Sequence, residues 1–175
     1  MKIKPIYILN FVFIILIIAL LFTPLRSLLE KIQSTNAQSE FSTIKSLTPE
    51  QYDIELKGIN TDDINFKDFK GKKIFLNFWG TWCPICVEEM PDIQKLYDKK
   101  KNEYQFVLIY MKDEKAKVQR FLEENQYTFP VYEAVSPIET ALLPRAFPTT
   151  ILIDEKGIVK GKTEGAVDWK NLNFY

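Results

Sequence analysis

The chain has 175 residues, room for one domain of ordinary size with an appendage, and its 46% hydrophobic content supplies a packed core. Its 23 basic and 23 acidic residues cancel, which leaves no overall basic field for nucleic acid or an anionic membrane surface. With no histidine and only two cysteines, Cys/His zinc sites, histidine-ligated haem, four-cysteine metal sites and a Cys-His nucleophilic dyad are excluded.

Residues 1–26 stand apart. Between Lys4 and Arg26 lie 21 residues without a charge, enough apolar helix to cross a bilayer core of about 30 Å. Lys2 and Lys4 precede the run, so the positive-inside rule places the N-terminus in the cytoplasm and the rest of the chain outside it. A cleaved secretory signal is the competing reading. Thr35-Asn36-Ala37 is a small-x-Ala sequence, but it lies far beyond the apolar run. No cysteine follows the run to accept lipid, and the segment lacks the polar face of a core helix. Residues 27–49 are mostly polar and read as a tether, with Pro49 at its end. A domain over 50–175 follows.

Within that domain, Tyr52-Asp-Ile-Glu-Leu56 alternates as a strand and turns at Gly58 and Asn60, and residues 65–69 form a short second element. Ile74-Phe-Leu-Asn-Phe-Trp79 carries apolar side chains on both faces, the pattern of a central covered strand. Pro84 to about Lys101 is helical, with Pro84 in the first turn, lysines gathered at the C-terminal end, and Pro91 as a kink. Phe106–Tyr110 is a second buried strand, and residues 112–125 a surface helix with Val118, Phe121 and Leu122 inward. Thr128–Tyr132 reads as an edge piece. Residues 149–153 and 158–162 make a hairpin across Asp154-Glu-Lys-Gly157, and a short helix from Asp168 ends the chain. This order implies a mixed sheet with helices on both faces, an α/β fold.

The two cysteines, Cys83 and Cys86, stand three positions apart where a strand gives way to a helix. They can close a disulfide across one turn, with Cys83 facing solvent at the helix N-terminus, where partial positive charge favours a thiolate. So small a loop removes little entropy from the unfolded chain, which makes a redox couple a better reading than a structural staple.

These features resemble the thioredoxin superfamily, and within it the membrane-tethered thiol-disulfide oxidoreductases of the TlpA/ResA/DsbE type. The resemblance covers about residues 50–170 and rests on Leu76-Asn-Phe-Trp-Gly-Thr-Trp-Cys-Pro-Ile-Cys86, Glu89-Met-Pro91 and Phe147-Pro-Thr-Thr-Ile-Leu-Ile-Asp154. It implies a thioredoxin-like mixed sheet behind an N-terminal transmembrane helix. Cys83 would attack a substrate disulfide and Cys86 would resolve the mixed disulfide. Pro148 matches the family's cis-proline, beside which the Phe147 backbone would receive substrate as an added strand. Trp82 would sit at the rim of the site, with Pro84 and Ile85 also meeting substrate, and Trp79 in the core. Glu89, three positions after Cys86, would relay protons; equally, it suits the N-terminal end of a helix as a simple charge. Asn77 stands where thioredoxin has a buried aspartate, and an amide cannot do that acid–base work.

The implied function is extracytoplasmic reduction of disulfides in envelope proteins such as apocytochrome c, with electrons from a membrane thiol transporter and no cofactor or metal. A disulfide donor would use the same residues in the opposite direction. A Cu(I) chaperone would use the two thiolates but lacks the distant histidine of related carriers. A peroxidase lacks its Pro-x-x-x-Thr-x-x-Cys context.

Overall fold

The computed structural model describes residues 46–167 and Trp169. The expected membrane anchor, nearly all of the tether and the expected helix from Asp168, Trp169 excepted, lie outside the described residues. Among the described residues, no helix is long and apolar enough to cross a membrane.

In chain order the elements are α1 (Pro49–Tyr52), β1 (Glu55–Gly58), β2 (Ile64–Asn65), a 3-10 turn (Phe66–Phe69), β3 (Lys73–Trp79), α2 (Pro84–Lys100), β4 (Tyr104–Tyr110), α3 (Lys115–Glu124), β5 (Val131–Ala134), β6 (Thr149–Ile153) and β7 (Val159–Glu164). The strands form one sheet in the order β2-β1-β5-β4-β3-β6-β7. β3, β4 and β5 run parallel, while β6, β7, β1 and β2 add antiparallel pairs, which gives the expected mixed sheet.

β3 lies at the centre because its alternate side chains fill two cores. Phe75 and Trp79 pack with α2 and α3 residues such as Met90, Ile93, Val118 and Leu122, whereas Ile74, Leu76 and Phe78 join a second cluster with Tyr52, Phe66 and Ile151. Alternation therefore puts Asn77 on the Phe75–Trp79 face, under α2. α2 is continuous through Pro91, whose side chain is solvent-exposed. Val118 and Leu122 of α3 are buried as expected, and Phe121 packs at the margin.

Two local expectations are corrected. Tyr52 ends a helical turn begun at Pro49 instead of opening a strand, and β1 starts only at Glu55. The sequence alternates because Tyr52, Ile54 and Leu56 all point inward, and Tyr52 stacks on Phe66 at 5.6 Å. β5 is not an edge piece: it pairs with β4 through Leu108–Val131 and with β1 through Leu56–Ala134. Pro130 cannot donate to a ladder, and it lies just outside β5, which starts at Val131. Asn60 instead reaches across, accepting from Val131 N–H at 3.0 Å and donating to Phe129 C=O at 2.9 Å. Leu47 is buried and donates its N–H to Gly157 C=O at 2.8 Å, so packing of the domain extends three residues ahead of residue 50.

Candidate active site

β3 ends at Trp79, and after Gly80-Thr81-Trp82 the chain enters α2 with Cys83 as its N-cap and Pro84 in the first turn. Pro84 suits this place because its missing N–H is one that the helix leaves unpaired anyway. Cys83 and Cys86 are joined as a disulfide, with Cα atoms 5.2 Å apart. Cys83 Sγ also accepts the backbone N–H of Cys86 at 3.3 Å, so one of the free donors of the first helical turn points at sulfur.

The expectation of a solvent-facing Cys83 needs correction. Cys83 keeps only 5% of its surface and Cys86 none. In the disulfide form the accessible surface at the site belongs to its neighbours. Trp82 is 48% exposed and Ile85 47%, so an apolar lip lies on either side of the sulfur.

The loop before Cys83 is pinned from the segment that follows β4. Asp113 Oδ2 accepts Thr81 N–H at 2.6 Å and Thr81 Oγ1–H at 2.8 Å, and Met111 donates its N–H to Trp79 C=O at 2.8 Å. Trp82 folds back over Gly80 and donates its indole N–H to Met111 C=O at 2.9 Å. A Cβ on Gly80 would collide with that ring, so the conformation of Trp82 depends on glycine there.

The Phe147–Pro148 peptide bond is cis. Thr149 pairs with Phe78, which brings Pro148 alongside the end of β3 that leads to Cys83. The Phe147 ring meets Trp82 edge-on, with centroids 5.2 Å apart. Pro148 C=O is occupied by the N–H of Gly165 at 2.8 Å. No hydrogen bond within the described residues engages the backbone N–H or C=O of Phe147.

On the inner side of α2, Glu89 is 6% exposed, one turn beyond Cys86. Its Oε2 accepts the indole N–H of Trp169 at 3.2 Å, and Oε1 has no partner among the described residues. Burial pushes the carboxyl up to about 7, opposed by hydrogen bonds from Trp169, the Val167 backbone and Asn77. Asn77 is fully buried and donates Nδ2–H to Thr150 Oγ1 at 2.9 Å, while its Oδ1 is also unpartnered among the described residues.

The structure thus brings together Cys83, Cys86, Trp82, Pro84, Ile85, Phe147 and Pro148 around one disulfide, with Glu89 behind it. Thr150, Asp113, Gly80 and Trp169 were not singled out from sequence. Thr150 lay inside the quoted Phe-Pro-Thr-Thr and could have been found by pairing it with Asn77. Trp169 carried no signal beyond being an aromatic residue near the end of the chain.

A buried Cys-x-x-Cys disulfide at a helix N-terminus, beside a cis-proline loop and after a central strand, defines a thiol-disulfide exchange site. The Redoxin family profile matches residues 42–173. The chain is 36% identical to thiol-disulfide oxidoreductase ResA of Halalkalibacterium halodurans over 117 residues, 65% of this chain and 66% of that protein. It is also 36% identical to ResA of Geobacillus kaustophilus over 131 residues, 74% of each chain. Among solved structures it resembles StoA from Bacillus subtilis, with a TM-score of 0.57 and 27% identity over 66% of this chain and 91% of that one. The chain belongs to the Redoxin family, as a TlpA/ResA/DsbE-like member of the thioredoxin superfamily. It is a thiol-disulfide oxidoreductase, and such enzymes act on disulfide-containing substrates.

Proposed function

We propose that the enzyme is a disulfide reductase held on the outer side of a bacterial cytoplasmic membrane by residues 1–26, with 27–49 as tether and a redox domain over 50–175. The observation that carries the direction is the buried acid on the Cys86 face of α2, on which no cation acts among the described residues. Glu89 is ionised in part near neutrality, Pro84 and Ile85 are uncharged, and the chain has no histidine. A thiolate in such surroundings is held mainly by the helix N-terminus. A couple whose reduced form gains so little extra stabilisation gives up its electrons readily.

In the reduced enzyme, Cys83 thiolate attacks one sulfur of a substrate disulfide. A Cys83–substrate bond forms, the substrate S–S bond breaks, and the released thiolate takes a proton. Cys86 then passes its thiol proton to Glu89 and attacks Cys83 sulfur. The Cys83–Cys86 bond forms, the second substrate thiolate leaves, and two electrons have moved to substrate. The Phe147 N–H and C=O, unengaged among the described residues, would hold the substrate backbone beside Pro148, and Trp82, Pro84 and Ile85 would pack against its side chains. A membrane thiol-electron transporter would restore the dithiol, and envelope proteins such as apocytochrome c are the substrate class.

Equilibration of the purified full chain with dithiothreitol and glutathione buffers tests the direction. A potential near the reducing end of thioredoxin-fold couples, about −270 mV, is expected, together with insulin reduction. A value near the oxidising end, about −120 mV, would make it a disulfide donor.

A further inference from the structure

The segment after β7 touches both walls of the exchange site. Gly165 N–H binds Pro148 C=O at 2.8 Å, on the cis-proline wall. Four residues later, Trp169 donates its indole N–H to Glu89 Oε2 at 3.2 Å. The Trp169 ring is 6% exposed and meets Phe75 of β3 edge-on at 5.2 Å, so packing fixes the donor in place.

The opposite oxygen of the same carboxyl, Oε1, is buried and has no partner among the described residues. Without Trp169 the carboxyl would lose the strongest of the hydrogen bonds that act on it, leaving the weaker ones from the Val167 backbone and Asn77. Neither of those bonds is directed at Oε2 as the indole N–H is, so the orientation of the carboxyl would be less well defined. The groups that face it are Cys86 on its own helix, Asn77 from β3, and Trp169 with the Val167 backbone from the strap. Among the described residues, none of these carries a charge when the cysteines are joined, so hydrogen bonds orient Glu89 there.

We propose that Trp169 is a positioning residue: it anchors Glu89 Oε2, leaves Oε1 as the oxygen that exchanges a proton, and joins the acid to the cis-proline wall through Gly165. The catalytic part of this inference rests on the reading of Glu89 as the proton acceptor for Cys86. Because an indole N–H stabilises the carboxylate over the acid, the strap also opposes the effect of burial on this group.

The test compares the full chain with Trp169→Phe, Glu89→Gln and the double variant, reading the pH profile of insulin reduction. In Trp169→Phe the Glu89-dependent inflection should move up by about one pH unit. In the Glu89→Gln background the same substitution should shift nothing. An unmoved inflection, or an equal shift with and without Glu89, overturns the proposal. If Trp169→Phe does not fold, the indole N–H resonance of Trp169 is followed by NMR in unaltered protein and in Glu89→Gln. Movement with pH in the former and not in the latter supports the bond, and a pH-independent resonance in both refutes it. Should Glu89→Gln leave the activity profile unchanged, the proton-acceptor reading fails, while the resonance still decides whether Trp169 positions the carboxyl.

Discussion

Asn77 and Thr150 stand opposite each other in the β3–β6 ladder, and the Asn77 amide donates to the Thr150 hydroxyl at 2.9 Å. The bond fixes the amide on the α2 face of β3 without adding an ionisable group. Thr150→Val keeps the shape and removes the acceptor, leaving a buried amide donor to find another partner. Urea unfolding should show a loss of about 1–3 kcal/mol. A variant as stable as the parent would mean that the Asn77 amide is satisfied elsewhere.

Glu89 makes stability depend on pH. Its folded-state value of about 7 lies above the ordinary 4.5, so the native state binds the extra proton. The favourable contribution is complete below about pH 4.5 and is lost as pH rises through 7. The full swing is of order 3 kcal/mol. Glu89→Gln should remove that slope, so its stability relative to the parent improves between pH 5 and pH 8. Unfolding curves of the oxidised proteins across that range check it. Parallel pH dependences for the two would show that Glu89 is not held neutral by burial.

Gly80→Ala should disturb the site without touching a cysteine. The new Cβ occupies the place of the Trp82 indole, so the ring loses its bond to Met111 C=O and its edge contact with Phe147. A hydrogen bond of this kind contributes about 1 kcal/mol, which corresponds to about a fivefold fall in kcat/KM if Trp82 forms the substrate lip. Trp82→Phe should approach the same value, since it also loses the Met111 bond. Steady-state reduction of a disulfide peptide, with fluorescence of the Trp82 region as a second signal, measures both.

Asp113 offers a separate handle on the same loop. Its carboxylate takes both the N–H and the hydroxyl of Thr81. Asp113→Ala should cost about 1–3 kcal/mol in thermal or urea unfolding, and Thr81→Ala, which loses only the hydroxyl bond, should cost less.

Much of the frame was legible because it depends on burial of local patterns. The apolar run Ile74–Trp79 could only be a central strand, and the proline beside two cysteines could only open a helix. The hairpin around Asp154–Gly157 announced itself by its turn residues. What escaped depends on contacts distant in sequence. β5 is an interior strand because it pairs with β1, seventy-eight positions earlier at Leu56–Ala134, and no local pattern encodes that reach. The low exposure of Cys83 accompanies a closed disulfide, and the indole that holds Glu89 comes from Trp169, eighty positions away. Motif spacing located the chemistry; tertiary packing supplied the groups that orient it.

The central claim is that Cys83 attacks and Cys86 resolves. Incubating Cys86→Ala and Cys83→Ala separately with a disulfide-linked peptide, and weighing the products by mass spectrometry, puts it to the most direct test. Cys86→Ala should accumulate a stable one-to-one mixed disulfide with the peptide, whereas Cys83→Ala, left with the fully buried sulfur, should trap little or none. Equal trapping by the two variants, or preferential trapping through Cys86, would reverse the assignment of the two sulfurs.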